Sequence, residues 1–195
     1  ENDRLARQVT LSFVYWLQTE APRADGGQGY PFFRLAGEYL GTQDGLSKAP
    51  YIRESRRIRS RFTVTEEMIR RGSHPAFPDS VGVGSYPIDL HITTATHTFF
   101  YEPSERFTIP LGAMIPEKLG NLIPACKNIG TTHLSGGCYR LHPVEWNVGE
   151  VAGYLAAFAL SEHIPIAAVW EDPARFAAFA ALLEANGVQR YWKEG

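Results

Sequence analysis

Cysteine is scarce in this chain: Cys126 and Cys138, twelve positions apart, are the two it has in 195 residues. That spacing is neither a C-x-x-C nor a zinc framework. Two free thiols are the expectation, with one disulfide as the alternative. No apolar run reaches membrane-spanning length, and the longest mostly apolar stretch, 151–160, suits a core helix. Charge of one sign is also missing. The formal net charge is -2, so there is no basic footprint for nucleic acid or an anionic membrane surface, and neither partner is expected. The locally basic "RESRRIRSR" at 53–61 is answered at once by the acids of "TEEM" at 65–68. No G-x-S-x-G elbow occurs, and Ser135 in "LSGG" has no evident base partner, so a serine hydrolase is not supported. The first residue is Glu1, with no signal-peptide pattern behind it. The compartment is therefore not legible, and a further N-terminal segment is expected.

What is present suits a folded domain. The chain is 44% hydrophobic, enough to build a core at this length. Leu5, Val9, Phe13 and Leu17 predict a helix over 5–18, capped by Asn2 or Asp3. Residues 21–50 are rich in Gly and Pro and read as loops, with a short helix near 35–40. Ile58, Ser60, Phe62 and Val64 alternate with Arg57, Arg59, Arg61 and Thr63, which predicts a strand with a basic face. Thr65 then caps a short helix begun by Glu66 and Glu67. A loop over 73–87 follows, then strands over 90–101 and 106–109 as antiparallel partners. "NLIPAC" at 121–126 reads as a short strand, followed by a Gly-rich loop through Gly137. Val144, Val148, Val151, Leu155 and Ala159 recur at helical spacing and predict a long helix over 144–160. A last helix over 173–186 ends at Gly187.

The stretch "THLSGGCYRLHPVEWNVGEVAG" at 132–153 carries the functional signal. Pro143 suits the first turn of a helix, and the residue before it, His142, is expected to be extended. The first-turn amides and the helix dipole together present roughly half a positive charge, a ready site for an anion or a polar ring. Gly149 and Gly153 lie four apart on one face, and each costs about 1 kcal/mol against alanine. Either tight packing against backbone or close approach of a ligand would compensate.

"NLIPACKNIGTTHLSGGCYRLHPVEWNVGEVAGYLAAFAL" resembles the C-terminal signature of FAD-dependent oxidoreductases of the glutathione-reductase-like superfamily. "PYIRESRRIRSRFTVTEEMI", "GSYPIDLH", the Leu-Gln of "VYWLQTE" and "PLGAMIPEKLGNLI" resemble the same branch, so the likeness runs over about 5–160. It implies an α+β or α/β fold: the end of a partial, Rossmann-like FAD-binding domain joined to a mixed-sheet substrate or cap region. By role it divides the chain into a substrate and cap region at 1–110, the strand–loop–helix of the FAD domain at 111–162, and a helical extension at 163–195. It implies FAD as cofactor and hydride transfer between an organic substrate and the flavin. The backbone of Arg140, Leu141, His142 and Pro143 would meet the pyrimidine edge of the isoalloxazine, where the helix dipole stabilises the charge of the reduced ring. Thr131, Thr132, His133 and Gly137 complete the implied cofactor contacts. Arg56 and Arg57 are implied at the catalytic centre, with Arg53, Asp89 and His91 as substrate contacts. For the arginines the alternative is a solvated strand face. His142 is either a proton donor beside the flavin or a side chain turned away.

Two departures qualify the likeness. Ala125, Cys126 and Lys127 stand where the branch has A-G-R. No G-x-G-x-x-G occurs, and "GVGSYP" at 82–87 lacks the third glycine. The pyrophosphate and adenosine thus have no cradle here, and an N-terminal FAD-binding segment of the same protein is the expected partner. These residues alone should hold FAD weakly or not at all. A non-catalytic binding or scaffolding module that has lost flavin is the alternative. The substrate is not encoded legibly. The spacing of Asp89, His91 and His97 does not make a metal set, and no metal is expected.

Overall fold

The structure, a computed structural model, describes residues 1–54, 56–73, 76–93, 95 and 97–193. Helices and small antiparallel sheets are mixed, an α+β arrangement, in two compact units, Glu1–Arg53 and Glu54–Gly195.

The first unit is a helix and its loops. α1 spans Asn2–Thr19, with Glu1 rather than Asn2 or Asp3 at the N-cap and no side-chain cap bond. None of its residues is buried. Local polar ties hold the unit: Arg7 pairs with Asp44 at 2.6 Å, and Gln18 Nε2 donates to Phe33 O at 2.7 Å. Tyr30, Phe32 and Phe33 cluster with ring centroids 5.3–5.9 Å apart. α2, Gly37–Leu40, is the short helix expected there.

In the second unit, residues 57–64 do not form a named strand: isolated bridges at Ser60 and Val64 flank a bend at Arg61 and Phe62. The predicted alternation survives, with Arg59, Arg61 and Thr63 exposed and Ser60 and Val64 buried. Their amides are shared between two segments, Ile58 and Val64 bonding to Asn128 and Gly130 and Arg61 to Ile115, so no continuous ladder forms. A 3-10 turn follows at Glu66–Met68, after Thr65 as expected, although Thr65 makes no side-chain cap bond.

The predicted loop over 73–87 contains a strand, β1 (Ser80–Gly84). Glycine misled the reading here. A Cβ at Gly84 would fall 2.2 Å from the Phe107 ring, and one at Gly82 would fall 1.8 Å from Asn147 Oδ1. The glycines let neighbours close on the strand; they do not mark a turn. Strand β2 is Ile88–Leu90 and β3 is Phe100–Glu102. They pair with each other, while β4 (Phe107–Pro110) pairs with β1. The predicted pairing of 90–101 with 106–109 is therefore replaced by two separate antiparallel pairs, with β2–β3 lying between β1 and β4 in sequence. His74, Pro75, Thr94 and Thr96 of these predicted segments lie outside the described residues. β4 is buried along its whole length, so it reads as a continuous core strand instead of an alternating one.

"NLIPAC" at 121–126 is not a strand. Pro124 has no N–H to give to a ladder, and no strand of the described residues lies alongside it. The Gly-rich loop is a helix, α3 (His133–Tyr139), because Thr132 and Ser135 close a reciprocal capping box around its first turn. The long helix α4 is His142–Ser161, so the extended residue is Leu141 and His142 opens the helix. The "EHIPI" linker leads into a further helix, α5 (Ile166–Glu171), before α6 (Pro173–Ala185). Gly187 follows at φ 84°, the left-handed stop expected for it.

The core of this unit lies between the β1–β4 pair, α4, α5 and α6. Phe107 and Tyr139 are fully buried with ring centroids 4.3 Å apart, and Tyr139 Oη donates to Thr108 O at 2.7 Å. α3 lies against β2 so closely that a Cβ at Gly137 would sit 3.1 Å from Asp89 N. Both cysteines are free. Among the described residues no helix is long and apolar enough to cross a membrane.

Candidate functional site

The corner between α3 and α4 is built from short-range chemistry. Thr132 accepts the Ser135 amide at 3.1 Å, and Ser135 Oγ donates to Val64 O at 2.6 Å. Thr132 Oγ1 also donates to Glu66 Oε2 at 2.9 Å. The T-T-H segment is thereby fastened to the turn at 64–66. Beside it, Thr131 is 6% exposed and its hydroxyl has no hydrogen-bond partner. An unmatched buried hydroxyl costs about 1–3 kcal/mol, and this one keeps unmet donor and acceptor capacity. Gly136 lies between Thr131 and Arg57; a Cβ there would be 3.3 Å from Thr131 Oγ1 and 3.9 Å from Arg57 Nη1.

Arg140 sits at the break between the two helices and is 7% exposed. Its guanidinium meets Glu54 Oε1 at 2.6 Å and donates to the Asp89 carbonyl. The buried charge is thus paired and also hydrogen-bonded, the condition under which burial of an ion is tolerated. Glu54 reaches His133 as well, with Nδ1 3.4 Å from Oε2. On the far side of Asp89, its carboxylate accepts from Tyr86 Oη at 3.3 Å and lies 3.4 Å from His91 Nε2. Burial first, and then the Asp89 charge, push the Tyr86 phenol up, so it stays a donor to that carboxylate. Five acidic or basic side chains from three separate stretches of sequence converge here: Glu54, Asp89, His91, His133 and Arg140.

α4 opens beside them. Leu141 is its N-cap at φ -82° and ψ 148° and makes no side-chain cap bond, with Pro143 in the first turn. No side-chain oxygen caps the positive end of this helix. A groove of about 360 Å³ lies against it, lined by Leu141, Pro143 and Val144 on the helix side. His142 and Pro143 are exposed and Leu141 is half-buried.

On the opposite side of the first turn, Cys126 Sγ donates to Glu145 Oε2 at 2.7 Å, and Lys127 Nζ lies 3.6 Å from Glu145 Oε1. Burial, then the Glu145 bond, push the Cys126 thiol up, so it stays protonated at neutral pH. Gly149 packs against this segment, with Ala125 O 3.1 Å from where a Cβ would stand, while Gly153 has nothing within 4 Å. Gly149 thus answers to tight backbone packing, and Gly153 answers to neither packing nor an enclosed ligand.

The expected residues are therefore placed unequally. Arg140, Asp89, His91 and His133 come together, and Thr131 and Arg57 flank Gly136. Arg56 is exposed. Arg53 belongs to the first unit, where its guanidinium lies 5.5 Å over the Tyr51 ring. Sequence reasoning missed Glu54. An acid set among arginines in "RESRR" was the available signal, since an unpaired carboxylate there would have no reason to interrupt a basic face.

Residues 1–183 match the model of a family described as FAD dependent oxidoreductase. Searches of the curated proteins and of the solved structures find no match for this chain. The family match spans both compact units, nearly all of the 195 residues, and includes every residue of the corner just described. The chain belongs to the FAD dependent oxidoreductase family, and its cofactor is FAD.

Proposed function

We propose that this chain supplies the isoalloxazine-facing part of a flavin-dependent oxidoreductase together with part of its substrate pocket. One observation carries the reading: the family match runs across the α3–Arg140–α4 corner, where α4 begins without a side-chain cap. Two features suit a flavin. The amide-rich entrance of α4 favours the electron-rich pyrimidine edge of the ring. The unpartnered, buried Thr131 hydroxyl suits a chain of hydroxyls such as the ribityl.

In this reading Arg140, Leu141, His142 and Pro143 hold the pyrimidine edge through backbone and helix dipole. Thr131, Thr132, His133 and Gly137 stand along the ribityl side. Gly137 does so by letting α3 close on β2, and Thr132 by fixing the segment. Arg140 acts from its buried ion pair with Glu54, which holds the break between α3 and α4 in one conformation. Asp89 and His91 border the substrate, with Arg56 and Arg57 contributing positive charge. His142, exposed at the helix entrance, is the residue placed to carry a proton. FAD, when bound, accepts two electrons as a hydride from an organic substrate. The roles of 1–110, 111–162 and 163–195 as substrate region, flavin-facing corner and helical extension belong to the same proposal. So does a dinucleotide-binding unit supplied by sequence outside these residues.

The test is purification of the protein encoded by the complete reading frame. The expected product is yellow, carries flavin released by denaturation, and has a G-x-G-x-x-G segment upstream. A colourless product that takes up no FAD on reconstitution overturns the proposal.

A further inference from the structure

The groove at the entrance of α4 has a second wall, and that wall lies outside the matched family region, which ends at residue 183. Val188, Gln189 and Trp192 line the groove opposite Leu141 and Val144. The segment carrying them, 187–192, is held down at several points. Arg190 Nε donates to Ser80 O at 2.7 Å, and Arg190 O in return accepts from Ser80 Oγ at 2.5 Å. Arg190 also pairs with Glu184 at 2.6 Å. Tyr191 Oη donates to Pro78 O at 3.0 Å, and Trp192 Nε1 donates to Phe107 O at 3.0 Å. These bonds fix the strap across β1 and β4 and place the Trp192 ring at the groove.

The charge of the lining is of one sign. Glu150 is its only charged side chain among the described residues. Gln189 donates one of its two amide N–H groups to Tyr191 O at 3.0 Å, which leaves its carbonyl oxygen to accept and one N–H to donate. Asn147 Oδ1 accepts from Val83 N at 3.2 Å, which leaves its two amide N–H groups as donors. The rest of the lining is mostly apolar, with one indole. The Arg106 guanidinium lies 5.2 Å over the Trp192 ring and does not line the groove. A carboxylate, an accepting amide and an aromatic wall match a ligand with an apolar or aromatic body and a cationic amine. A carboxylate ligand would meet Glu150 with like charge.

We propose that the strap at 187–192 makes this groove a binding site for small organic amines, with Trp192 seating the body and Glu150 the ammonium. As a statement about substrate the inference rests on the flavin reading above; as a statement about binding it does not. The groove is lower-end in size for a small-molecule site, where about 300–1,000 Å³ is usual, so the ligand is compact.

The probe is benzylamine, with benzoate as the comparison, followed by tryptophan emission of the protein and of Trp192→Phe to isolate the Trp192 signal. Benzylamine is expected to saturate the Trp192 signal at least tenfold more tightly than benzoate. Glu150→Gln, an exposed change that keeps the fold, is expected to weaken benzylamine about tenfold and leave benzoate no weaker. Circular dichroism confirms that each variant is folded. Equal affinity for the two probes, or benzylamine binding unchanged in Glu150→Gln, overturns the inference. Flavin content is measured in parallel. Selective amine binding in a protein that never takes up flavin upholds the groove and refutes the flavin reading. Flavin uptake without amine selectivity refutes the groove alone.

Discussion

Arg140 ties the break between α3 and α4 to residues far away in sequence. Its charge is buried, with Glu54 at 2.6 Å and the Asp89 carbonyl as partners. Arg140→Met keeps most of the volume and removes the charge, leaving Glu54 with His133 alone. The expected cost is on the order of 2 kcal/mol, below the value for a fully buried pair because Glu54 is about a third exposed. Thermal melting reads that cost. Glu54→Gln should cost less than Arg140→Met, and the double variant should cost less than the sum, since both act on one interaction. The cysteines give a pH prediction. Burial pushes the Cys138 thiol up from 9.0 to about 12. Below pH 9 both folded and unfolded chains keep that proton, so stability is unaffected. Between pH 9 and about 12 the unfolded chain loses it first, so stability falls as pH rises. The buried Tyr139 phenol, also raised, adds to the fall above its ordinary range. Urea midpoints near pH 8 and about pH 10 should therefore differ, and Cys138→Ala should flatten the difference. A thiol reagent on the native protein should leave Cys138 unmodified. At this scale the sequence was informative about type and silent about partners. Arg140 stood out by resemblance, whereas Glu54 lies 86 positions away and nothing local couples the two.

Among elements, α4 was legible because its apolar residues keep helical spacing along most of its length, and Val144, Val148, Val151, Leu155 and Ala159 are all buried. Its two glycines are not equivalent. Gly153 is exposed with open space where a side chain would stand, so Gly153→Ala should stabilise by about 1 kcal/mol through helix propensity. A rise in Tm of a few degrees is the readout. Gly149→Ala gains the same propensity but must move Ala125 O, 3.1 Å away, and should gain less or lose. A larger gain at Gly149 than at Gly153 would mean that the 125–127 segment yields freely. Strands were harder to read than helices for a physical reason. β1 is short, contains Gly82 and Gly84, and is buried on four of its five positions, so neither alternation nor β-propensity marks it. α3 was missed because Gly136 and Gly137 argue against a helix locally, while the capping box and the close approach to β2 decide for one. The stretch at 121–126 has the composition of a strand, yet pairing is a property of neighbours, and composition alone does not supply them.

For the whole molecule, the buried apolar residues are divided very unevenly between the two units. The core cluster begins at Val64 and ends at Val188, entirely within Glu54–Gly195. In Glu1–Arg53 the buried hydrophobics are Ala21 and Leu46, and α1 buries nothing. Hydrophobic burial is the main favourable contribution to folding, and a unit of that size with so little of it lacks the means to offset its chain entropy. The candidate site follows the same division: Glu54, Arg57, Asp89, His91, the α3–α4 corner and the strap at 187–192 all belong to the second unit, and Arg53 does not. Residues 54–195 expressed alone should therefore fold, unfold cooperatively in urea, and bind benzylamine with the affinity of the longer chain. Residues 1–53 alone should show no cooperative transition and little amide protection from exchange. If 54–195 instead aggregates or melts without cooperativity, the first 53 residues contribute stability that their own burial does not account for. The exposed apolar residues of α1, Leu5, Val9 and Phe13 among them, would then be the first positions to replace with polar side chains.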